Sequence, residues 1–269
     1  MELFNYKKSQ DVLALSASFT DFTYKKHCHE EYAVGVTLRG IQQYHLDGHY
    51  QASHKNGVML FNREQSHDGS SYDKAGIDYV MLYLKPDLVE EVLGKKELRF
   101  NSPIVYDPVL ARSILMLNDA VQNGQDEAKC SELLFDLLQL LSQSEMDTKL
   151  WRPQDNLVRK AKEMMFCSIE DVLKLDDLCS EFNMSKFQFI REFKSHAGIS
   201  PYQFFLNCKV ERARQSIETH KDVYSAVAEC GFVDLTHLNR HFKRVFGITA
   251  YEYMLQLNSL NRYDYPPNV

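Results

Sequence analysis

Phe189-Ile-Arg-Glu-Phe-Lys-Ser-His-Ala-Gly-Ile-Ser-Pro-Tyr-Gln-Phe-Phe205 returns 49 residues later as Leu238-Asn-Arg-His-Phe-Lys-Arg-Val-Phe-Gly-Ile-Thr-Ala-Tyr-Glu-Tyr-Met254. Superimposed, Arg191 falls on Arg240, Phe193 on Phe242, Lys194 on Lys243, Gly198 on Gly247, Ile199 on Ile248 and Tyr202 on Tyr251. Self-similarity at a fixed spacing marks one supersecondary unit used twice. The repeated unit is a helix carrying Arg and Lys beside an inward aromatic and ended by Gly. That is the composition of a helix that reads DNA.

The residues ahead of each copy complete the unit. Leu175-Asp-Asp-Leu-Cys-Ser-Glu-Phe predicts a short amphipathic helix with Leu178 and Phe182 inward. Asn183-Met184 forms a tight turn, and Ser185 is an N-cap for a helix anchored by Phe189 and Phe193 at i, i+4. Helix, short turn, helix is the helix-turn-helix, whose second helix enters the major groove. In the second copy, Val223 to Glu229 is followed by a turn at Cys230-Gly231-Phe232. Asp234 then caps a helix from Leu235 to Phe246, anchored by Leu238 and Phe242. Pro201 to His220 reads as one long helix between the copies, with Pro at a permitted first-turn position. It would set both reading helices on one DNA face, about 34 Å apart. Lys194 and Lys243, farther along each reading helix, are expected at phosphates.

Residues 172–255 resemble the AraC/XylS family of bacterial transcription regulators. The resemblance rests on Arg-Glu-Phe-Lys-x3-Gly-Ile-Ser-Pro-Tyr, Glu-Arg-Ala-Arg, Ala-Glu-Cys-Gly-Phe-x-Asp and Asn-Arg-His-Phe-Lys-x3-Gly-Ile-Thr. It implies that Lys186, Phe187, Ile190 and Arg191 face DNA in the first unit, and Leu235, Thr236, Asn239 and Arg240 in the second. Ala250 departs from the family's usual Pro, which should loosen a helix start slightly. His237-Leu238 replaces a commoner aromatic pair, so base contacts of the second unit should differ. The resemblance further implies a small-molecule effector and an activator that recruits RNA polymerase to promoter DNA.

The first half reads differently. Tyr32–Leu38, Ile41–Leu46, Gly57–Phe61 and Asp78–Leu84 are short runs rich in β-branched and aromatic residues. Arg39-Gly40, Asp47-Gly48, Asn56-Gly57 and Asp68-Gly69 sit between or beside them as turn signals. The spacing predicts a small antiparallel barrel or sandwich. Pro86 starts a helix that Gly94 stops, and two more helices follow. Leu110, Ile114, Leu117 and Val121 mark the first; Leu133, Leu134, Leu137, Leu138, Leu140 and Leu141 give the second a broad apolar stripe. The stripe either covers the barrel or pairs with a second chain, and one stripe can serve both.

The expected architecture is therefore two-domain. An N-terminal all-β cupin-like barrel with trailing helices (1–145) is followed by a linker (146–155), an all-α double helix-turn-helix domain (156–258) and a tail (259–269). The cupin likeness rests on His27-Cys-His29, Arg39-Gly40 and Gly57-Val-Met-Leu-Phe-Asn-x4-His67. Metal-binding cupins place a Glu where Ala33 and Val34 stand here, although Glu31 lies nearby. His27, His29 and His67 remain a chemically possible three-His site. A barrel-mouth pocket is expected, with His27, His29, Tyr32, Tyr44, His67 and Tyr83 as effector-binding candidates. Val34, Phe61, Tyr79 and Met81 are further wall candidates, but which strand parity faces inward is open.

Composition bounds these readings. The chain has 269 residues with a net charge of −6, and 44% hydrophobic and 25% charged residues, as soluble two-domain proteins do. The acid excess lies in the first half: residues 1–154 hold 16 Lys+Arg against 22 Asp+Glu, and residues 155–269 hold 15 of each. Arg191 with Lys194, Lys209 with Arg212 and Arg214, and Arg240 with Lys243 and Arg244 form local basic clusters that can meet phosphates. Six scattered cysteines without a Cys-x-x-Cys pair, no signal-peptide pattern and no run near about 18–20 apolar residues point to a cytoplasmic protein. The expected function is a sequence-specific DNA-binding regulator, acting as a homodimer, without enzymatic activity or cofactor. The alternative is a metal-dependent cupin enzyme with an accessory DNA-binding domain.

Overall fold

The computed structural model describes residues 2–9, 12–95, 97–143 and 156–258; the expected linker and tail lie outside the described residues. The strands are β1 (Leu3–Ser9), β2 (Val12–Phe19), β3 (Thr23–His27), β4 (Tyr32–Arg39), β5 (Gln42–Leu46), β6 (His49–Ser53), β7 (Val58–Phe61), β8 (His67–Ser71) and β9 (Ile77–Leu84). Helix α1 (Pro86–Leu93), the short β10 (Ile104–Val105), α2 (Pro108–Gln122) and α3 (Glu127–Gln143) complete the first half. A six-stranded antiparallel sheet in the order β1-β2-β9-β4-β7-β10 faces a four-stranded sheet in the order β3-β8-β5-β6. The β5–β6 hairpin turns on Asp47-Gly48 with φ of 49° and 86°, the left-handed pair that matches strand twist. Asp68-Gly69 is no turn: both residues lie within β8, and the Asp68 carboxylate accepts the His45 N–H across the sheet.

Both faces of the large sheet are buried, and strict alternation divides them. Leu13, Leu15, Ala33, Met59, Phe61, Tyr79 and Met81 point between the sheets, where Tyr24, Tyr44 and Leu46 meet them. Tyr32, Val34, Val36, Leu60, Val80 and Leu82 point outward beneath α2 and α3, whose Leu133, Leu134, Leu137, Leu138 and Leu141 cover that face. The leucine stripe is thus a cover for the barrel. Gly94 ends α1 in the left-handed conformation, and Asp107 caps α2 by accepting the Val109 and Leu110 N–H groups.

The second half is helical: α4 (Asn156–Cys167), α5 (Leu175–Glu181), α6 (Lys186–Ala197), α7 (Pro201–His220), α8 (Val223–Glu229), α9 (Leu235–Phe246) and α10 (Ala250–Asn258). Ser185 and Gln188 form a reciprocal capping box at the start of α6. Asp234 caps α9 by accepting the His237 N–H at 2.6 Å. Each helix-turn-helix has its own core. Phe189, Phe193, Phe204 and Phe205 pack with α4 in the first, and Leu238, Phe242, Phe246 and Tyr253 pack with the end of α7 in the second. Truncating any of these aromatics to Ala would cost about 3–5 kcal/mol.

The second core runs without interruption into the barrel interior. Strand β1 lies at an open sheet edge, and α10 closes it: Gln256 accepts the Tyr6 N–H at 2.8 Å and donates to the Phe4 carbonyl at 2.9 Å. The Tyr6 hydroxyl donates to the Phe246 carbonyl at 2.9 Å. The two halves are joined through backbone groups and a shared apolar core.

Candidate DNA-reading face and sensor interior

The repeat becomes geometry at the ends of α6 and α9. Gly198 and Gly247 close them with φ of 73° and 79°, a conformation in which a Cβ is costly. On the outward sides, Lys186, Phe187, Arg191 and Lys194 of α6 are exposed, as are Thr236, Arg240 and Lys243 of α9. Phe187 is 85% exposed, unusual for a large apolar side chain, and is not covered by any of the described residues. Ile190, Leu235 and Asn239 are half-buried. Lys186 pairs with Asp176 of α5 at 2.9 Å; the pair is exposed and screened by solvent, so it is readily exchanged for a phosphate. All ten residues expected on the DNA side therefore lie on α6 and α9, seven of them exposed. Asn239 has an internal task as well, since its Oδ1 accepts the Ala250 N–H at 3.0 Å. The N–H that a Pro would lack is thereby satisfied. Thr249 and Glu252 add a reciprocal cap, so the start of α10 is firm rather than loosened.

Two of the basic residues grouped from sequence are not at the surface. Arg214 and Lys209 are 5% and 6% exposed. Lys209 sits over the Phe205 ring and donates to the Gly231 carbonyl at 3.2 Å. Helical periodicity explains this: positions 209, 210, 213, 214 and 217 share the inward face of α7, so a basic cluster in sequence divides between core and solvent.

In the sensor half the three histidines converge. The ring centroids of His27 and His67 are 4.4 Å apart, those of His29 and His67 5.0 Å, and His29 meets Tyr83 at 5.3 Å. Each Nδ1 faces a backbone carbonyl: His27 that of Lys25 at 2.7 Å, His29 that of Glu31 at 3.0 Å, His67 that of Gln65 at 2.8 Å. A carbonyl only accepts, so each Nδ1 carries the proton and each Nε2 is left as an acceptor. Burial, and then the neighbouring imidazole of His29, lowers His27 to about 4, and burial also lowers His29 and His67. All three rings are neutral near pH 7. Among the described residues no three His, Cys, Asp or Glu side chains are grouped as an ion requires. Tyr44 lines the same interior against Phe61 at 5.1 Å. Tyr32 does not: it lies on the outer face, where its hydroxyl accepts the Leu98 N–H at 3.0 Å. Strand β4 is apolar on both faces, so alternation carries no sign of which side is interior.

Between the halves lies a buried ionic knot that sequence reading missed. Arg214 donates to Glu31 of the sensor and to Glu211 and Glu218 of its own helix, while Lys8 of β1 reaches Glu218. The Tyr253 hydroxyl also donates to Glu218, at 2.7 Å. Burial pushes Glu211 up to about 8, with Glu31 and Glu218 adding to the effect against Arg214. Burial pushes Glu218 the same way, but Arg214 and Lys8 hold it at about 2. The available signal was Glu211-Arg-Ala-Arg214, whose i, i+3 spacing permits an intrahelical pair. The sensor also touches the end of each reading helix: Lys26 donates to the Gly198 carbonyl at 2.9 Å, and the Phe4 ring packs against Gly247.

Comparison with known proteins agrees with this geometry. Residues 9–138 match the AraC-like ligand binding domain and residues 178–256 a helix-turn-helix domain; together they span most of the chain. The uncharacterized HTH-type transcriptional regulator YbfI of Bacillus subtilis is 23% identical over 224 residues, 80% of this chain and 81% of that protein. The transcriptional regulatory protein HptR of Staphylococcus aureus is 24% identical over 217 residues, 75% of each chain. Among solved structures, unsaturated fatty acid-bound ToxT from Vibrio cholerae superimposes with a TM-score of 0.61 at 12% identity, over 94% of this chain and 98% of that one. The last likeness is one of fold. The matched families are regulators, not enzymes.

Proposed function

Since this chain belongs to the AraC-like transcriptional regulators, with ligand-binding domain first and helix-turn-helix domain second, we propose that it reads promoter DNA through α6 and α9 under control of a small molecule held between its two sheets. The observation that carries the reading is the pair of capped, exposed helices built from one repeat, each touched at its glycine end by the sensor. Arg191 and Arg240 are the proposed base readers; an Arg bidentate to guanine discriminates by about 1–3 kcal/mol. Lys194 and Lys243 meet phosphates.

The proposed effector lies against His27, His29, His67, Tyr44 and Tyr83. Three neutral imidazoles offering Nε2 acceptors suit a ligand with hydroxyl or N–H donors, and the surrounding Phe61, Met81 and Tyr79 suit an apolar portion. Glu31, three residues after Cys28 and bonded to Arg214, links that interior to α7. An effector controls DNA occupancy only so far as it binds one arrangement of the halves better than the other.

A second copy is the proposed partner of the outward faces of α2 and α3, where Met116 and Phe135 are 45% and 50% exposed. The protein would act in the cytoplasm, as an activator together with RNA polymerase, in keeping with its family. The test is genome-fragment selection with the full chain and with an Arg191→Ala, Arg240→Ala double variant. Wild type recovers a shared promoter motif and the double variant does not; recovery of no motif by wild type at moderate salt overturns the proposal. A metabolite screen by thermal shift on the same protein identifies the effector, since selective binding raises apparent stability.

A further inference from the structure

Asn239 stands on the reading face of α9, where an Asn side chain ordinarily selects adenine by pairing bidentately: Nδ2 donates to N7 while Oδ1 accepts from the N6 amino group. That recognition needs both polar atoms of the amide edge turned to the base. Here one is already engaged inside the protein, and that bond fixes the direction in which the amide points. Oδ1 accepts the N–H of Ala250, a fully buried residue at the first position of α10, at 3.0 Å. The partner is a backbone donor, so the amide cannot be flipped: the atom facing α10 is the oxygen. Asn239 is half-buried, in keeping with an oxygen turned to the protein and an amino group turned outward.

The hydrogen bond exists because residue 250 carries a backbone N–H. A Pro there has no N–H to offer, and the oxygen would be released. Positions 239 and 250 therefore act as a pair, eleven residues apart on different helices.

Building on the assignment of α9 as a reading helix, we propose that Asn239 is a donor-only reader, fixed in that state by Ala250, and that it specifies its base by rejecting cytosine rather than by choosing adenine. The outward Nδ2 finds an acceptor in the major groove on guanine (N7 and O6), adenine (N7) or thymine (O4). Cytosine presents only its N4 amino donor, which meets the Nδ2 hydrogens head-on. The second unit thus reads this position as three permitted bases and one forbidden one. Arg240, a neighbour on the same helix with a freely exposed guanidinium, keeps its own preference for guanine.

The test takes the full-length protein and the DNA site recovered by selection, and measures binding to all four bases at each position of the second half-site. Wild type, Asn239→Ala, Ala250→Pro and Arg240→Ala are compared. Wild type should bind guanine, adenine and thymine within a few fold at one position and cytosine at least tenfold more weakly. Asn239→Ala should lose the cytosine penalty at that position alone. Ala250→Pro, tolerated at a helix first turn, should sharpen the same position to adenine. The proposal is overturned if wild type already selects adenine there, or if Asn239→Ala changes no position while Arg240→Ala does. In the latter case Asn239 is only a cap for α10. If neither variant changes any preference, the reading-helix assignment itself has failed, which the Arg240→Ala arm distinguishes.

Discussion

Two glycines related by the internal repeat offer a controlled comparison of what the sensor does to each reading helix. Both Gly198 and Gly247 are left-handed, so replacing either by Ala brings the same backbone strain, about 1–2 kcal/mol. Their surroundings differ. A Cβ at Gly198 would lie 3.3 Å from Ser66 Cβ and 3.5 Å from Lys26 Nζ, a contact that small shifts relieve. A Cβ at Gly247 would lie 2.6 Å from the Phe4 ring, which is held between Phe19, Phe22 and Tyr24 and cannot turn away. Overpacking of a filled core costs about 1–3 kcal/mol more. Gly198→Ala should therefore lose about 1–2 kcal/mol in urea unfolding followed by circular dichroism, and Gly247→Ala about 2–5. Adding Phe4→Ala removes the obstacle, so the cost of Gly247→Ala in that background should fall to that of Gly198→Ala. Equal costs for the two glycines in wild type, or no coupling between Phe4 and Gly247, would refute the idea that the second reading helix is seated on the sensor barrel.

Other consequences concern charge. Arg214→Leu removes the cation shared by Glu31, Glu211 and Glu218, leaving Glu218 only Lys8 and Tyr253, and a stability loss of about 3–5 kcal/mol is expected; a loss under about 1 would show the knot to be solvated. Glu211, raised to about 8, keeps a proton that the unfolded chain sheds near 4.5, so its stabilising contribution declines as pH rises between those values. Glu211→Gln should match wild type near pH 5 and exceed it in melting temperature near pH 8; a pH-independent difference would contradict the assignment. His27 behaves oppositely: lowered to about 4, it resists a proton that the unfolded chain takes up near 6.5, so stability is lost on acidification through that interval. His27→Gln should lose less than wild type there, and identical pH profiles would count against a dry histidine cluster.

Much of the second half was legible because helix grammar is local. Ser185, Asp234, Gly198 and Gly247 announce starts and stops within one turn, and the structure places them there. The first half was less legible. Strands β1 to β3 carry weak alternation, as in Leu3-Phe-Asn-Tyr-Lys-Lys-Ser; β1 gains its order from the adjacent β2, and β2 and β3 gain theirs from β9 and β8 farther along the chain. Tyr32 and Val34, candidates for the interior wall, lie on the outer face, and because β4 is buried on both sides its alternation gave no parity. The histidine cluster was anticipated from His27-x-His29 and His67, whereas Arg214 was hidden in a basic run: the Glu211–Arg214 spacing and the inward face of α7 were local hints, but the partner Glu31 lies 183 residues away.

Division of labour between two reading helices is the centre of this account, and hydroxyl-radical footprinting on a selected promoter site tests it most directly. Wild type should protect two patches on one face of the DNA, about 34 Å apart as adjacent major-groove segments are. Arg191→Ala should erase one patch and Arg240→Ala the other, with the remaining patch retained at higher protein concentration. A single patch, or two patches that both variants weaken equally, would contradict independent reading by α6 and α9.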